Sequence, residues 1–210
     1  MSPALSYTIR RSDRARRTRL TLTEDGEAVV VLPRRATERE AADLFHRHRA
    51  WVERQRARME ERRIRLATRP SLAAGRVLTI GGVAHIVRVS SSEERAALER
   101  RLRREAHGAI IERVAARAPE LAVEARALQI RDQKSRWGSA SRNGTLSFSW
   151  RLILCPPEVL DYVVVHELAH LRYAGHGVRF WRLVERHFGD HRVPRRWLRE
   201  HHDEVRQALD

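Results

Sequence analysis

Pro156-Pro157-Glu158-Val159-Leu160-Asp161-Tyr162-Val163-Val164-Val165-His166-Glu167-Leu168-Ala169-His170 is the stretch on which the reading of this chain turns. The prolines suit a first helical turn, where a missing N–H is no loss. The spacing predicts a helix from there to about Tyr173, ended by Ala174-Gly175, because glycine readily takes the left-handed conformation that closes helices. Val163, Val164, Val165, Leu168, Ala169 and Leu171 make it apolar on most sides, so it belongs in a core. Histidines four residues apart stand one turn above the other, with β-carbons about 5–6 Å apart, so both imidazoles can reach one ion. Buried histidines need partners, and zinc, which takes nitrogen ligands at about 2.0–2.1 Å, satisfies both. Glu167 lies about 100° further round, where a general base must sit to take a proton from a metal-bound water.

His176 follows the helix end, and a chain reversal at Gly175 brings it back beside His170 as a candidate third ligand; the plain alternative is a solvent histidine after a helix. The five-residue gap between His170 and His176 equals that of metzincin proteases. However, Tyr173 stands where those carry glycine, and Met1 and Met59 both lie upstream, so the metzincin pattern is not met. Three protein ligands leave a fourth position for water, the layout of catalytic rather than structural zinc. Tyr173 and Arg172 are both within reach of an oxyanion role, and the sequence does not choose between them. The other histidines (His46, His48, His85, His107, His187, His191, His201, His202) read as structural or surface groups.

Outward from this helix, elements of both kinds alternate. Residues 17–23 alternate polar and apolar, Asp25-Gly26 turns, and Ala28 to Leu32 returns as a strand closed by Pro33. Thr37 and Glu40 form a capping box that opens one helix to about Leu66. Val77 to Ile80, Gly81-Gly82 and Val83 to Val89 read as a second hairpin, and Ser91 with Glu94 opens a helix that stops at Pro119. Leu128 to Arg131 and Arg136 to Ala140 read as strands, and Asn143-Gly144 turns the latter into Thr145 to Ser149. Helical patterns follow over 177–187 and 194–208. The expectation is an α+β chain with three β-hairpins and a helical C-terminal third, forming one domain over 1–210 with hairpins and a helix in 1–90 and the metal site in 91–210.

Composition narrows the function. The chain has 210 residues with a net charge of +15, but Lys134 is the only lysine, so arginine supplies all but one of the 42 basic residues. Their excess is spread along the chain apart from the six arginines between Arg10 and Arg19, a candidate polyanion contact. No run approaches the roughly 18–20 apolar residues of a membrane span, so no membrane partner is expected. With Cys155 alone there is no internal disulfide and no thiolate cage; that residue reads as a buried structural thiol, and a cytoplasmic location is expected. Trp51, Trp150, Trp181 and Trp197 read as core; Trp137 is open between packing and substrate binding.

The chain resembles the YgjP-like and SprT-like zinc metallopeptidases. The likeness rests on Arg131-Asp132-Gln133-Lys134-Ser135-Arg136-Trp137-Gly138-Ser139, Ser149-Trp150-Arg151-Leu152-Ile153-Leu154, the 156–165 run, the His-Glu motif itself, and His176 followed by Phe180-Trp181. Ala140 and Ser149 depart from it, standing where the family often has cysteine and asparagine. The resemblance implies a zincin-like fold, one zinc per chain at His166, His170 and His176, Glu167 as catalytic base, and a 136–149 hairpin bordering the substrate cleft. The expected function is therefore an intracellular zinc metallopeptidase acting on protein or peptide. Two alternatives stand beside it: a nucleotide or phosphoanhydride hydrolase using the arginine surplus, and a DNA-associated SprT-like protease holding the polyanion at Arg10–Arg19.

Overall fold

The computed structural model describes residues 6–23, 25–133 and 135–210. Lys134 of the Arg131–Ser139 run and residues 1–5 lie outside the described residues. The chain divides into two units at Arg69-Pro70.

The first unit holds β1 (Tyr7–Arg11), β2 (Arg19–Leu22), β3 (Ala28–Leu32), α1 (Glu38–Arg47) and α2 (Arg49–Thr68). β3 is the centre of the sheet, antiparallel to β2 with Leu20 opposite Val30 and parallel to β1 with Tyr7 opposite Ala28. Alternation along β3 turns Ala28, Val30 and Leu32 to one face, where Ala41, Phe45 and Val52 close the core. The capping box forms: the Thr37 hydroxyl accepts from the Glu40 N–H at 3.3 Å, and Glu40 Oε1 accepts from the Thr37 N–H at 3.3 Å. The single helix expected to Leu66 is instead two, broken at His48 (φ −107°, ψ 11°). No proline or glycine stands there. The break falls where a helix burying Ala41 and Phe45 gives way to one that buries Val52 alone, so tertiary packing rather than propensity divides it. Trp51, expected in the core, is 37% exposed.

The second unit begins with β4 (Arg76–Ile80) and β5 (Val83–Val87), paired through Gly81 and Gly82 at φ 58° and 92°, the left-handed pair that tight hairpin turns require. α3 (Ser92–Glu120) follows. It runs one residue past Pro119, whose ring removes one i→i−4 hydrogen bond of the last turn, and Ala122 at φ 53° then turns the chain. β6 (Ala127–Arg131), β7 (Gly138–Ala140) and β8 (Thr145–Ser149) make a sheet in the order β6-β8-β7, with β8 parallel to β6 and antiparallel to β7. A 3-10 turn, Trp150–Leu154, leads into α4 (Pro157–Arg172); α5 (Val178–Phe188), α6 (Arg192–Glu200) and α7 (His202–Arg206) complete the chain. The 194–208 pattern is thus two helices meeting at His201.

α4 is the axis of this unit. It lies against α3, α5, α6 and β7, and nine of its sixteen residues are buried. Its apolar positions meet Leu102, Ala106 and Ile110 of α3, Phe148 of β8, Trp150, and Phe180 and Val184 of α5. One ion pair fixes it further: Arg117 of α3 grips both oxygens of Asp161, at 3.2 and 2.6 Å. Cys155 is buried, and desolvation raises its thiol pKa, as an inert structural thiol requires. Among the described residues no helix is long and apolar enough to cross a membrane.

Candidate metal centre

α4 presents His166 and His170 one turn apart, with ring centroids 4.8 Å from each other. The helix ends at Tyr173, whose extended backbone (φ −133°, ψ 111°) turns the chain so that His176 comes back to them. His176 Nε2 lies 3.1 Å from the Nε2 of both His166 and His170. One ligand atom from each of the three falls within 4.8 Å of the others. Tetrahedral zinc with nitrogen ligands at about 2.0–2.1 Å places neighbouring nitrogens about 3.3–3.4 Å apart, so this donor set fits such an ion.

The protonation pattern agrees. His170 Nδ1 faces the Tyr173 carbonyl at 3.0 Å, and a carbonyl only accepts, so Nδ1 carries the proton and Nε2 presents a lone pair. The Tyr162 hydroxyl faces His166 Nδ1 at 3.3 Å, orienting that ring as well. Phe180, fully buried, floors all three imidazoles with centroids at 4.5–4.9 Å, and Trp181 stacks on His176 at 5.5 Å and 23°. Burial, helped by the neighbouring rings, pushes His166 down to about 3, and it lowers His176 too. Both are therefore held as neutral imidazoles, the form a metal requires.

Glu167 is buried between α4 and β7, only 6% exposed. The space for it exists because residue 138 is glycine: a β-carbon there would stand 2.7 Å from Glu167 Cγ and 2.8 Å from its Oε1. Burial pushes Glu167 up to about 7, against the pull of the Arg136 guanidinium. Glu167 and His166 face two openings. One is a cleft of about 950 Å³ that also holds His170 and His176, bordered by β7 and the turn after it; the other is a pocket of about 290 Å³ over Val163 and Leu198. The 136–149 hairpin thus borders the cleft. Of the two oxyanion candidates, Arg172 directs an N–H to the Leu121 carbonyl at 3.4 Å, and Tyr173 contributes its carbonyl to His170.

Sequence reasoning passed over three residues here. Gly138 stood inside a quoted run, but nothing in the sequence says that a carboxylate packs on it. Tyr162 lies four residues before His166 on the same helical face, a signal that was readable. Arg206 is distant in sequence: its guanidinium stacks on Trp137 at 4.2 Å, donates to the carbonyls of Gln133 and, at 2.7 Å, Arg136, and so fixes the segment that leads into β7. Trp137 is half-buried against the core and also lines the pocket of about 290 Å³ beside Glu167, so it takes part in both packing and that opening.

Compared with known proteins, the YgjP-like metallopeptidase domain matches residues 16–96 and 83–201. The chain belongs to that family, and it is a metal-dependent hydrolase of the metallopeptidase kind. Two solved metallopeptidase zymogens are similar over part of it. Abylysin of Pyrococcus abyssi is 24% identical with a TM-score of 0.39, the match covering 43% of this chain and 93% of that one. Jannalysin of Methanocaldococcus jannaschii is 22% identical with a TM-score of 0.37, covering 48% and 92%. No curated protein matches.

Proposed function

We propose that the chain is a zinc peptidase in which His166, His170 and His176 hold one zinc ion and Glu167 is the general base. The observation that carries this is the convergence of three imidazole nitrogens beside a buried carboxylate, facing a cleft of about 950 Å³. Zinc held there would supply a Lewis acid and lower the pKa of a water toward about 7. Glu167 takes the proton of the attacking water on a carboxylate oxygen and returns it to the departing amine nitrogen. A carboxyl held near neutrality suits both transfers, since a base and then an acid of intermediate strength is needed. Gly138 keeps β7 close enough to exclude bulk water from that carboxylate. Tyr162 and the Tyr173 carbonyl hold the rings of His166 and His170 in register through the cycle.

Elemental analysis tests the metal: about one zinc per chain is expected, lost in His166→Ala, His170→Ala and His176→Ala. Glu167→Gln should keep the zinc and lower cleavage of unfolded protein by about 10²–10⁴-fold. Hydrolysis of nucleoside triphosphates with no cleavage of protein would overturn the peptidase reading.

A further inference from the structure

Around the cleft the positive charge is not neutralised. Elsewhere arginines meet carboxylates: Arg49 with Glu53, Arg101 with Glu105, Arg103 with Glu99, Arg151 with Asp132. Arg126, Arg136 and Arg142 line the 950 Å³ cleft, and among the described residues none of them forms an ion pair. Apart from Glu167 the cleft has one carboxylate, Glu124. The Arg136 charge is felt at Glu167 itself.

These side chains stand on fixed backbone. Arg142 sits in the turn after β7, closed by Gly144 N–H to the Ser141 carbonyl at 3.1 Å and Thr145 N–H to Asn143 Oδ1 at 3.3 Å. Gly144 is in the left-handed region at φ 84°, and a β-carbon there would come within 3.0 Å of Arg126 Cγ, so the Arg126 stem lies across that turn. The Arg136 carbonyl is held by Arg206. The opening on the other flank of Glu167 is different in kind: about 290 Å³, with Val163 and Leu198 in its wall.

We propose that Arg126, Arg136 and Arg142 make the cleft selective for acidic peptide: Asp and Glu side chains are taken on the flank of the scissile bond that runs past the turn after β7. The inference rests on the peptidase reading. These guanidiniums are exposed and have no carboxylate partner among the described residues, so they are open to pair with the carboxylates of a bound peptide, and the fixed backbone beneath them limits what that pairing must order. One exposed pair is worth a factor of about 1.5–5, so three acting together give about tenfold between acidic and neutral side chains, less at high salt.

The experiment digests a peptide library with the zinc-loaded full chain and sequences the cleavage sites, alongside the double charge reversal Arg126→Glu/Arg142→Glu. Both positions are exposed, and a matching melting curve checks that the variant is folded. Enrichment of Asp and Glu by about tenfold on one flank, turning to enrichment of Lys and Arg in the reversal, supports the proposal. Absence of a charge preference, or one unchanged by the reversal, overturns it. If nothing in the library is cut, the anisotropy of labelled Glu-rich and Lys-rich peptides on Glu167→Gln protein decides. Tighter binding of the Glu-rich peptide by about tenfold upholds the cleft's selectivity while the peptidase reading falls, and equal binding overturns the selectivity as well. ATP turnover together with equal peptide binding assigns the arginines to phosphate instead.

Discussion

α2 and α4 are helices of similar length with opposite relations to their surroundings. α2, 20 residues long, carries arginine or glutamate at half of its positions and buries Val52 alone. α4, 16 residues long, buries nine, among them a carboxylate. Along α2 charges stand in water, where high dielectric and salt mute them, and what perturbs Glu60 is its hydrogen bond from Arg63, which holds the carboxyl low, rather than burial. Along α4 the same kinds of group are removed from water, and burial moves Glu167 up to about 7 and His166 down to about 3. Reactivity here comes from the apolar wall as much as from the polar residues, which is why the helix with few charges carries the chemistry.

The largest effect expected from disturbing that wall is on activity. Gly138→Ala drives a β-carbon to 2.7 Å from Glu167 Cγ, so either β7 or the carboxylate must shift. A displacement of about 1 Å in a catalytic group costs on the order of 100-fold, so kcat/KM should fall by about that factor while zinc content stays at wild-type level. Loss of zinc instead would mean that the glycine serves the fold and not Glu167. Stability comes next. Leu168 is fully buried beside the base, and Leu168→Ala should cost about 2–5 kcal/mol in urea unfolding, whereas Arg58→Ala on α2 should stay within about 0.5 kcal/mol. Equal costs would erase the contrast between the helices.

Glu167 allows a sharper version, because its position should be a standing cost. A carboxyl near 4.5 in the unfolded chain and about 7 when folded binds its proton more tightly in the native state. Below pH 4.5 both states are protonated and nothing is lost; between 4.5 and 7 the native state pays an increasing penalty, which levels off above 7. After chelation of the metal, Glu167→Gln should therefore be more stable than wild type by about 3 kcal/mol at pH 8, with the two converging below pH 4.5. Unfolding curves at pH 4 and pH 8 check this, and a gap of the same size at both would locate the effect outside the ionisation.

The same contrast explains what was legible beforehand. His166, Glu167 and His170 are legible because helical periodicity is local: spacing alone sets which side chains meet. His176 required one chain reversal, which the sequence placed at a left-handed Gly175; the helix is instead ended by the extended Tyr173, and Gly175 does not take a positive φ. β2 and β3 were legible from alternation and a turn; β1 was not, since Thr8, Ile9, Arg10 and Arg11 are all exposed and its parallel pairing spans some twenty residues. The parallel pairing of β6 with β8 was hidden for the same reason, with β7 between them in sequence but beyond β8 in the sheet. The break at His48 and the approach of Arg206 to Arg136 depend on tertiary contacts that no local pattern encodes. At Gly138 the signal was a missing side chain, interpretable only once Glu167 is seen against it.

The smallest expected effect lies on α2 and tests the quiet half of the comparison. Arg49 Nε is 3.1 Å from Glu53 Oε1 four residues on, with both side chains about half exposed or more (58% and 48%). Arginine preceding glutamate is the less favourable order on a helix, the pair is open to salt, and holding two long side chains in one geometry offsets part of the attraction. Glu53→Gln should change stability by no more than about 0.3–0.5 kcal/mol at low salt and by nothing measurable in 1 M NaCl. A loss well above 1 kcal/mol that persists in salt would show that α2 charges are desolvated, and that the division between a solvated helix and a reactive one is drawn in the wrong place.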